Sequence, residues 1–555
     1  MKAATRRYSL FLLSAFATML TTTTVTWSQT YNTPLRHIIV VIQENRTPDN
    51  LFGADLHNNP RLLPGADLAA SGQCKTANPT TITLHPFGAV DACWDPDHSH
   101  GVPGAFETAY DGGKMDDACD AVMYLGPGCV PPPLADNIRL QYQYADNTNH
   151  IIDPYFNIAQ NYGYANYTFQ TNQGPSFPAH QFLLSGTSAP VKYNDPSGDW
   201  TWFDTENVFG SSGSSGCPAP SGAYTIEIDP NFVQHQIFPC YEHATLTDLL
   251  DAATPALTWR WYGNSSNDSL WNAPNAVSHL CGTVQNGACT GSDWTGSAPK
   301  IALNIGQLLY DLGDNTNGAC NLPNVSWVIP DGHWSDHPGG AAGTITDGGP
   351  SWVAAIVNGV GGKGNTGGSF PTQCNYWSNT AVIIVWDDWG GWYDHVLPWN
   401  CDSSGNCGGY PNATGKQYVY GFRVPMLVVS PYTKAGYVSG DIRTQSKNPP
   451  YVHDFGSILN FIEYAFGQGG APLAEISPNY HYADYFAPDG PNNPKCAGQC
   501  PYGLSDFFGG FKTQRNFTFI NGAKYATNCF IYPTASGCFG GTFTAMDPDN
   551  DAVDQ

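Results

Sequence analysis

The chain has 555 residues and a formal net charge of −24, with 22 Lys and Arg against 46 Asp and Glu. No basic cluster is present to neutralise phosphates, which excludes nucleic acid as a partner, and an anionic lipid surface would not attract such a chain. An anionic substrate must find its positive charge inside the site, from a metal ion, His or Lys. With 60 Gly and 43 Pro beside 41% hydrophobic residues, the composition implies an ordered fold with long loops, in one large α/β domain with insertions or in two domains.

Residues 1–29 read as an export signal: Lys2, Arg6 and Arg7, then an apolar stretch from Leu10 to Leu20, then a Thr-rich segment ending near Ser28. Thr5 to Phe11, TRRYSLF, also matches a twin-arginine pattern. The apolar stretch is short for a span, and no later one is long enough, so no integral membrane segment is expected after signal removal. The expected location is secreted or periplasmic. The 16 cysteines agree with an oxidising compartment. Near pairs Cys281/Cys289, Cys401/Cys407, Cys496/Cys500 and Cys529/Cys538 are expected to close small loops as disulfides.

The first strand is expected at His37–Asn45, HIIVVIQEN. Its apolar run ends on Glu44 and Asn45, oxygen donors suited to a divalent cation. A long irregular segment follows, Ala54 to Leu134. Within it His98 reads either as a phosphate or metal contact or as a turn cap. A helical pattern starts near Tyr155, and Thr171–Ser188, TNQGPSFPAHQFLLSGTS, then places Ser176 at a helix start with Pro178 in the first turn. Ser176 is either a capping serine or a nucleophile at a helix N-terminus, where free N–H groups favour an anionic phosphoryl group. His180 reads as structural, oriented by the same helix.

Further strands are expected at Leu257–Gly263, Val325–Gly332 and Phe422–Pro431, and helices at Thr245–Ala253 and His453–Gly467; His333 and His337 follow the strand end near Gly332. Ala381–Val396, AVIIVWDDWGGWYDHV, reads as a buried strand that stops on Asp387 and Asp388 before Gly390-Gly391 breaks it. Carboxylates at the carboxyl ends of buried parallel strands lie where open α/β sheets place their sites. Residues 31–470 are expected to form the catalytic domain, and 471–555 a Cys-rich cover packed on it.

Strand ends carrying Glu44-Asn45 and Asp387-Asp388, with His337 and the helix-start Ser176, meet the needs of metal-assisted phosphoryl transfer. The cation polarises the phosphoryl oxygen and acidifies the serine hydroxyl, while His neutralises phosphate oxygens or protonates the leaving group.

At these residues the chain resembles the bacterial phosphoesterase family that contains non-haemolytic phospholipases C and secreted acid phosphatases. The matching stretches are VVIQENRTPDNLFG, AYDGGKMD, GPSFPAHQFLLSG, SWVIPDG with SDHP, IIVWDDWGGWYDHV, YGFRVPMLVVSPYTKAGYVS and HDFGSILNFIEYAFG, in family order from about Arg36 to Gly467. The resemblance implies a three-layer α/β/α sandwich with a mostly parallel central sheet, alkaline-phosphatase-like, with long disulfide-pinned loops. It implies that Ser176 is the nucleophile of a phosphoserine intermediate and that Glu44, Asn45, Ser176, Asp387 and Asp388 surround one divalent metal ion. His98 and His337 would contact the phosphate or leaving group.

Two positions depart from or divide the family. Asp388 is one methylene shorter than the family's usual Glu. Ser176 agrees with the acid phosphatase branch, the phospholipase C branch having Thr. The expected function is a secreted phosphatase acting on phosphate-ester small molecules. The alternative is a phospholipase C that takes a phosphatidylcholine-type head group in a cage of Trp and Tyr. A non-catalytic secreted binding protein is the third reading.

Overall fold

Five consecutive β-branched residues, Ile38–Ile42, suit a pleated surface covered on both sides. They form β1 (His37–Gln43), and all five are fully buried. The computed structural model describes residues 31–545 except 89–93, 96–110, 121–123, 126–140, 175, 189–202, 205–213, 229–233, 264–265, 314–319, 338–347, 371–373, 400–417, 419, 445–450, 495, 497 and 540–542. The expected export signal, His98 and the Cys401/Cys407 pair lie outside the described residues.

β1 is central in an eight-stranded sheet. The other strands, in chain order, are β2 (Gly163–Ala165), β3 (Trp259–Tyr262), β4 (Ile301–Ala302), β5 (Val325–Val328), β6 (Thr380–Trp386), β7 (Met426–Val429) and β8 (Tyr437–Ser439). Their spatial order is β4-β3-β5-β1-β6-β7-β2-β8. The run from β4 to β6 is parallel throughout. β7, expected as one more buried strand, runs antiparallel to both β6 and β2. No helix is described between β6 and β7, and an antiparallel return needs none.

The main helices are α1 (Pro48–Phe52), α2 (Asp153–Asn161), α3 (Ser176–Ser185), α4 (Leu246–Ala252), α5 (Gln307–Gly313), α6 (Gly348–Val360) and α7 (Phe455–Phe466). Register shows which face they cover. Trp327 of β5 and Ile383 of β6 both pair with Val40 and share its face, whereas Trp386, three residues past Ile383, points the other way. The Trp327 indole donates to the Leu183 carbonyl of α3 at 2.9 Å, and Tyr155 of α2 meets Trp386 edge to face at 5.1 Å. α3 and α2 therefore cover opposite faces, and the molecule has three layers.

Disulfides Cys281–Cys289, Cys496–Cys500 and Cys529–Cys538 form as expected, joined by Cys74–Cys119, Cys217–Cys240 and Cys320–Cys374. Beyond residue 470 the chain is mainly turns, and its Phe530, Phe539 and Phe543 pack around Trp334 with centroids 5.3, 5.3 and 5.6 Å away. Among the described residues no helix is long and apolar enough to cross a membrane.

Candidate active site

Neighbouring parallel strands β1 and β6 release the chain side by side. The Asp387 N–H donates to the Gln43 carbonyl at 2.9 Å, which carries the ladder one residue past the strands. Glu44 and Asn45 thus face Asp387 and Asp388, and all four are fully buried. Tight local turns hold them there. Thr47 caps α1 by accepting from the Asn50 N–H at 3.1 Å, with Pro48 in the first turn. Asn45 has φ +56°, a left-handed conformation that Asn tolerates. Gly390, at φ +60°, passes so close to Asn45 that a Cβ there would lie 2.5 Å from the Asn45 carbonyl oxygen.

Each carboxylate is oriented from one side. Asp387 Oδ1 accepts from the N–H groups of Asn45 (3.2 Å) and Asp388 (2.7 Å), and Asp388 Oδ1 accepts from the Gly390 N–H at 2.6 Å. Asp388 Oδ2 accepts from the Ser176 hydroxyl at 2.9 Å. Ser176 is the first residue of α3, so its hydroxyl contacts a distant carboxylate from a helix start.

One turn along α3, on the same face as Ser176, His180 places Nε2 3.3 Å from Glu44 Oε1 and 3.3 Å from Asp387 Oδ2. Its Nδ1 lies 2.9 Å from the Trp271 carbonyl oxygen, which fixes Nδ1 as the protonated nitrogen and turns Nε2 to the carboxylates. His180, expected to be structural and oriented by its helix, lies within the carboxylate cluster. Histidine is a common metal ligand, and the four-residue spacing puts it on the Ser176 face, but the sequence does not say which face of α3 meets the carboxylates. His337 is also buried, with its N–H on Ser335 Oγ at 3.0 Å. Both His180 and His337 meet the Trp271 ring edge to face, at 4.9 and 5.9 Å. Trp271 is the second residue the sequence did not single out.

The electrostatics ask for a cation. Glu44, Asp387 and Asp388 bring three carboxylates into a fully buried region, with His180 as the ionisable nitrogen among them. Burial raises the Asp387 carboxyl most, but the neighbouring His180, with Glu44 and Ser176, outweighs it and holds it below its ordinary value. Glu44, His180 and Asp387 offer ligand atoms that all lie within 4.8 Å of one another. The Asn45 side-chain oxygen and nitrogen are buried with no hydrogen-bond partner, an orphan that an ion beside it would satisfy. Carboxylate, amide and hydroxyl oxygens with one imidazole suit a hard or borderline divalent cation.

A parallel sheet whose adjacent strand ends converge on carboxylates, with a helix-start serine against one of them, defines the class as an α/β protein with a candidate metal centre at the carboxyl edge of its sheet. The profile of the Phosphoesterase family matches residues 35–468, and the chain belongs to that family. It is a hydrolase acting on phosphate esters. Among its relatives is Phospholipase C B of Mycobacterium tuberculosis, 25% identical over 512 residues, covering 83% of this chain and 80% of that protein. Non-hemolytic phospholipase C of Pseudomonas aeruginosa is 24% identical over 455 residues, covering 78% of this chain and 54% of that one. Among solved structures, one of a protein in the alkaline phosphatase superfamily from Vibrio parahaemolyticus aligns at TM-score 0.27 and 10% identity. It covers 80% of this chain and 71% of that one. That superposition is too loose to bear on function.

Proposed function

We propose that the protein is an exported, metal-assisted phosphatase in which Ser176 is the nucleophile and forms a phosphoserine intermediate. The single observation that carries this reading is the 2.9 Å hydrogen bond from the Ser176 hydroxyl to Asp388, at the start of α3 and beside the carboxylate cluster. Glu44, Asn45, Asp387, Asp388 and Ser176 would hold one divalent ion, with His180 added to the set. Such an ion supplies Lewis acidity to the phosphoryl oxygens and to the serine hydroxyl.

Asp388 orients the Ser176 Oγ by accepting its hydrogen. When Oγ attacks phosphorus, the Oγ–P bond forms, the bond to the ester oxygen breaks, and the hydroxyl proton leaves toward the carboxylates. His337 delivers a proton to the departing alcohol, so the alcohol leaves neutral. Water then attacks the phosphoserine, releasing phosphate and restoring the hydroxyl. His98, which lies outside the described residues, keeps its role as a phosphate contact from the family resemblance. Ser176 begins α3, so the positive end of the helix dipole would favour the anionic group being transferred.

Two observations favour monoesters over choline head groups. One is serine at the nucleophile position. The other is burial of aromatics among the described residues: Trp261, Trp271, Trp327, Trp334, Trp352, Trp386, Trp389 and Trp392 are each under 2% exposed, so the faces of these eight serve packing rather than an open cage. The second reading, a phospholipase C, draws on the names of the relatives in the previous section. Assay of purified protein on p-nitrophenyl phosphate and on phosphatidylcholine separates the two: the first reading predicts a strong preference for the monoester, and preference for the lipid reverses it. The disulfides and the expected signal support export.

A further inference from the structure

Asp336 precedes His337 and is 1% exposed. Its side chain and backbone take hydrogen bonds from three separate parts of the chain. Oδ2 accepts from the Tyr155 hydroxyl at 2.7 Å and from the Trp386 indole at 3.0 Å. The Asp336 N–H donates to Gln43 Oε1 at 2.9 Å, and its carbonyl accepts from Arg46 Nε and Nη2 at 2.9 and 2.7 Å.

The partners are not scattered. Gln43 precedes Glu44, Arg46 follows Asn45 and Trp386 precedes Asp387. Every strand end that contributes to the site is therefore tied to one carboxyl-bearing residue, one bond away along the chain from His337. The space is closed behind it as well. At the N-terminus of α6, a Cβ on Gly349 would lie 2.2 Å from Asp336 Oδ1, 3.1 Å from the Trp334 carbonyl and 3.2 Å from Gln43 Nε2. Gln43 Nε2 itself donates to that Trp334 carbonyl at 3.0 Å. Burial pushes the Asp336 carboxyl up to about 6, opposed by Arg46, Tyr155 and Trp386.

We infer that Asp336 is a positioning residue that sets His337 against the carboxylates at the ends of β1 and β6, locked by Gly349 and by the Tyr155 and Trp386 donors. The inference rests on the proposed roles of Ser176 and His337. A buried carboxylate that merely satisfied two donors would stabilise the fold without affecting how well a proton reaches the leaving group.

The leaving group is the discriminating readout. Nitrophenolate departs readily without a proton, whereas an alkoxide needs one. Steady-state kinetics of wild type, Gly349→Ala, Tyr155→Phe and Asp336→Asn should be run on p-nitrophenyl phosphate and on β-glycerophosphate, normalised to folded protein. Should the enzyme turn over only diesters, p-nitrophenylphosphorylcholine and phosphatidylcholine give the same contrast. The expected result is kcat/KM on the alkyl ester lower by about tenfold and kcat/KM on the nitrophenyl ester lower by about threefold or less, since kcat/KM reports the step in which the leaving group departs, whatever the rate of phosphoserine hydrolysis. Wild-type kcat/KM on both substrates, or equal loss on both, overturns the role. If Asp336→Asn does not fold, Gly349→Ala, which keeps every charge and hydrogen-bonding group, and Tyr155→Phe decide. Ser176→Ala is run alongside: turnover that survives in it sinks the reading of the site itself, a failure distinct from that of Asp336.

Discussion

The Ser176 hydroxyl and Asp388 Oδ2 meet at 2.9 Å although 212 residues separate them in sequence. Both groups are buried, and each is held by an element that the local sequence ends or begins there: Asp388 by the Gly-rich break after β6, Ser176 by the start of α3. The contact joins two layers of the sandwich at the carboxyl edge of the sheet.

Ser176→Ala removes the proposed nucleophile and one hydrogen bond. Turnover should fall by at least about a thousandfold, while unfolding free energy changes by only about 1 kcal/mol. Initial rates and urea denaturation on the same preparation check both halves.

His180→Gln should weaken metal binding. Glu44, His180 and Asp387 offer ligand atoms that all lie within 4.8 Å of one another, so losing the imidazole removes one of three candidate donors. Metal affinity is expected to drop by about 10–100-fold. Metal content after dialysis against chelator, with activity restored by added divalent cation in wild type, measures it. Equal retention in wild type and variant would count against His180 as a ligand.

Much of this site is legible in the chain, for physical reasons. The runs Ile38–Ile42 and Ala381–Trp386 are too β-branched and too apolar for anything but buried strands, so the carboxylates that end them had to sit at a sheet edge. Ser176 is marked by Gly174-Pro175 before it and Pro178 after it. His180 is not, because which face of α3 meets the carboxylates is decided by how the helix packs on Trp327, a tertiary fact. Asp336 is further out of reach: its partners Tyr155 and Trp386 are 181 and 50 residues away. The direction of β7 was equally hidden, since alternation and apolarity carry no sign for the strand.

A second buried charge network gives a pH prediction. Arg423 is clamped by Asp394 at 2.9 and 3.0 Å, and His395 bridges Asp49 (2.7 Å) and Asp67 (3.2 Å). Burial opposes the charge on His395, but the two aspartates outweigh it and hold its pKa up to about 10, above the ordinary 6.5. Its contribution to stability is therefore complete below 6.5 and lost as pH rises through about 10. Burial likewise raises Asp49 and Asp67, and His395 with Arg423 drives both below the ordinary 3.8, so their contribution is present above 3.8 and lost in stronger acid. The melting-temperature gap between wild type and His395→Gln should be widest between these limits and shrink toward pH 10. A gap that grows with alkalinity would contradict the assignment.

The disulfides should differ in weight. Cys74–Cys119 spans 45 residues and Cys496–Cys500 spans 4; by loop-closure entropy they stabilise by about 4 and about 2 kcal/mol. Paired Cys→Ser variants, compared by thermal unfolding, should show the larger loss for the first pair.

The most direct test of the central claim is to stop the enzyme in acid during turnover and map phosphorylated peptides by mass spectrometry. The account predicts one phosphoryl group on the peptide containing Ser176, absent in Ser176→Ala and chased by water on further incubation. A fully active enzyme that carries no phosphoryl group on Ser176 at any quench time, or carries it on another residue, would contradict it.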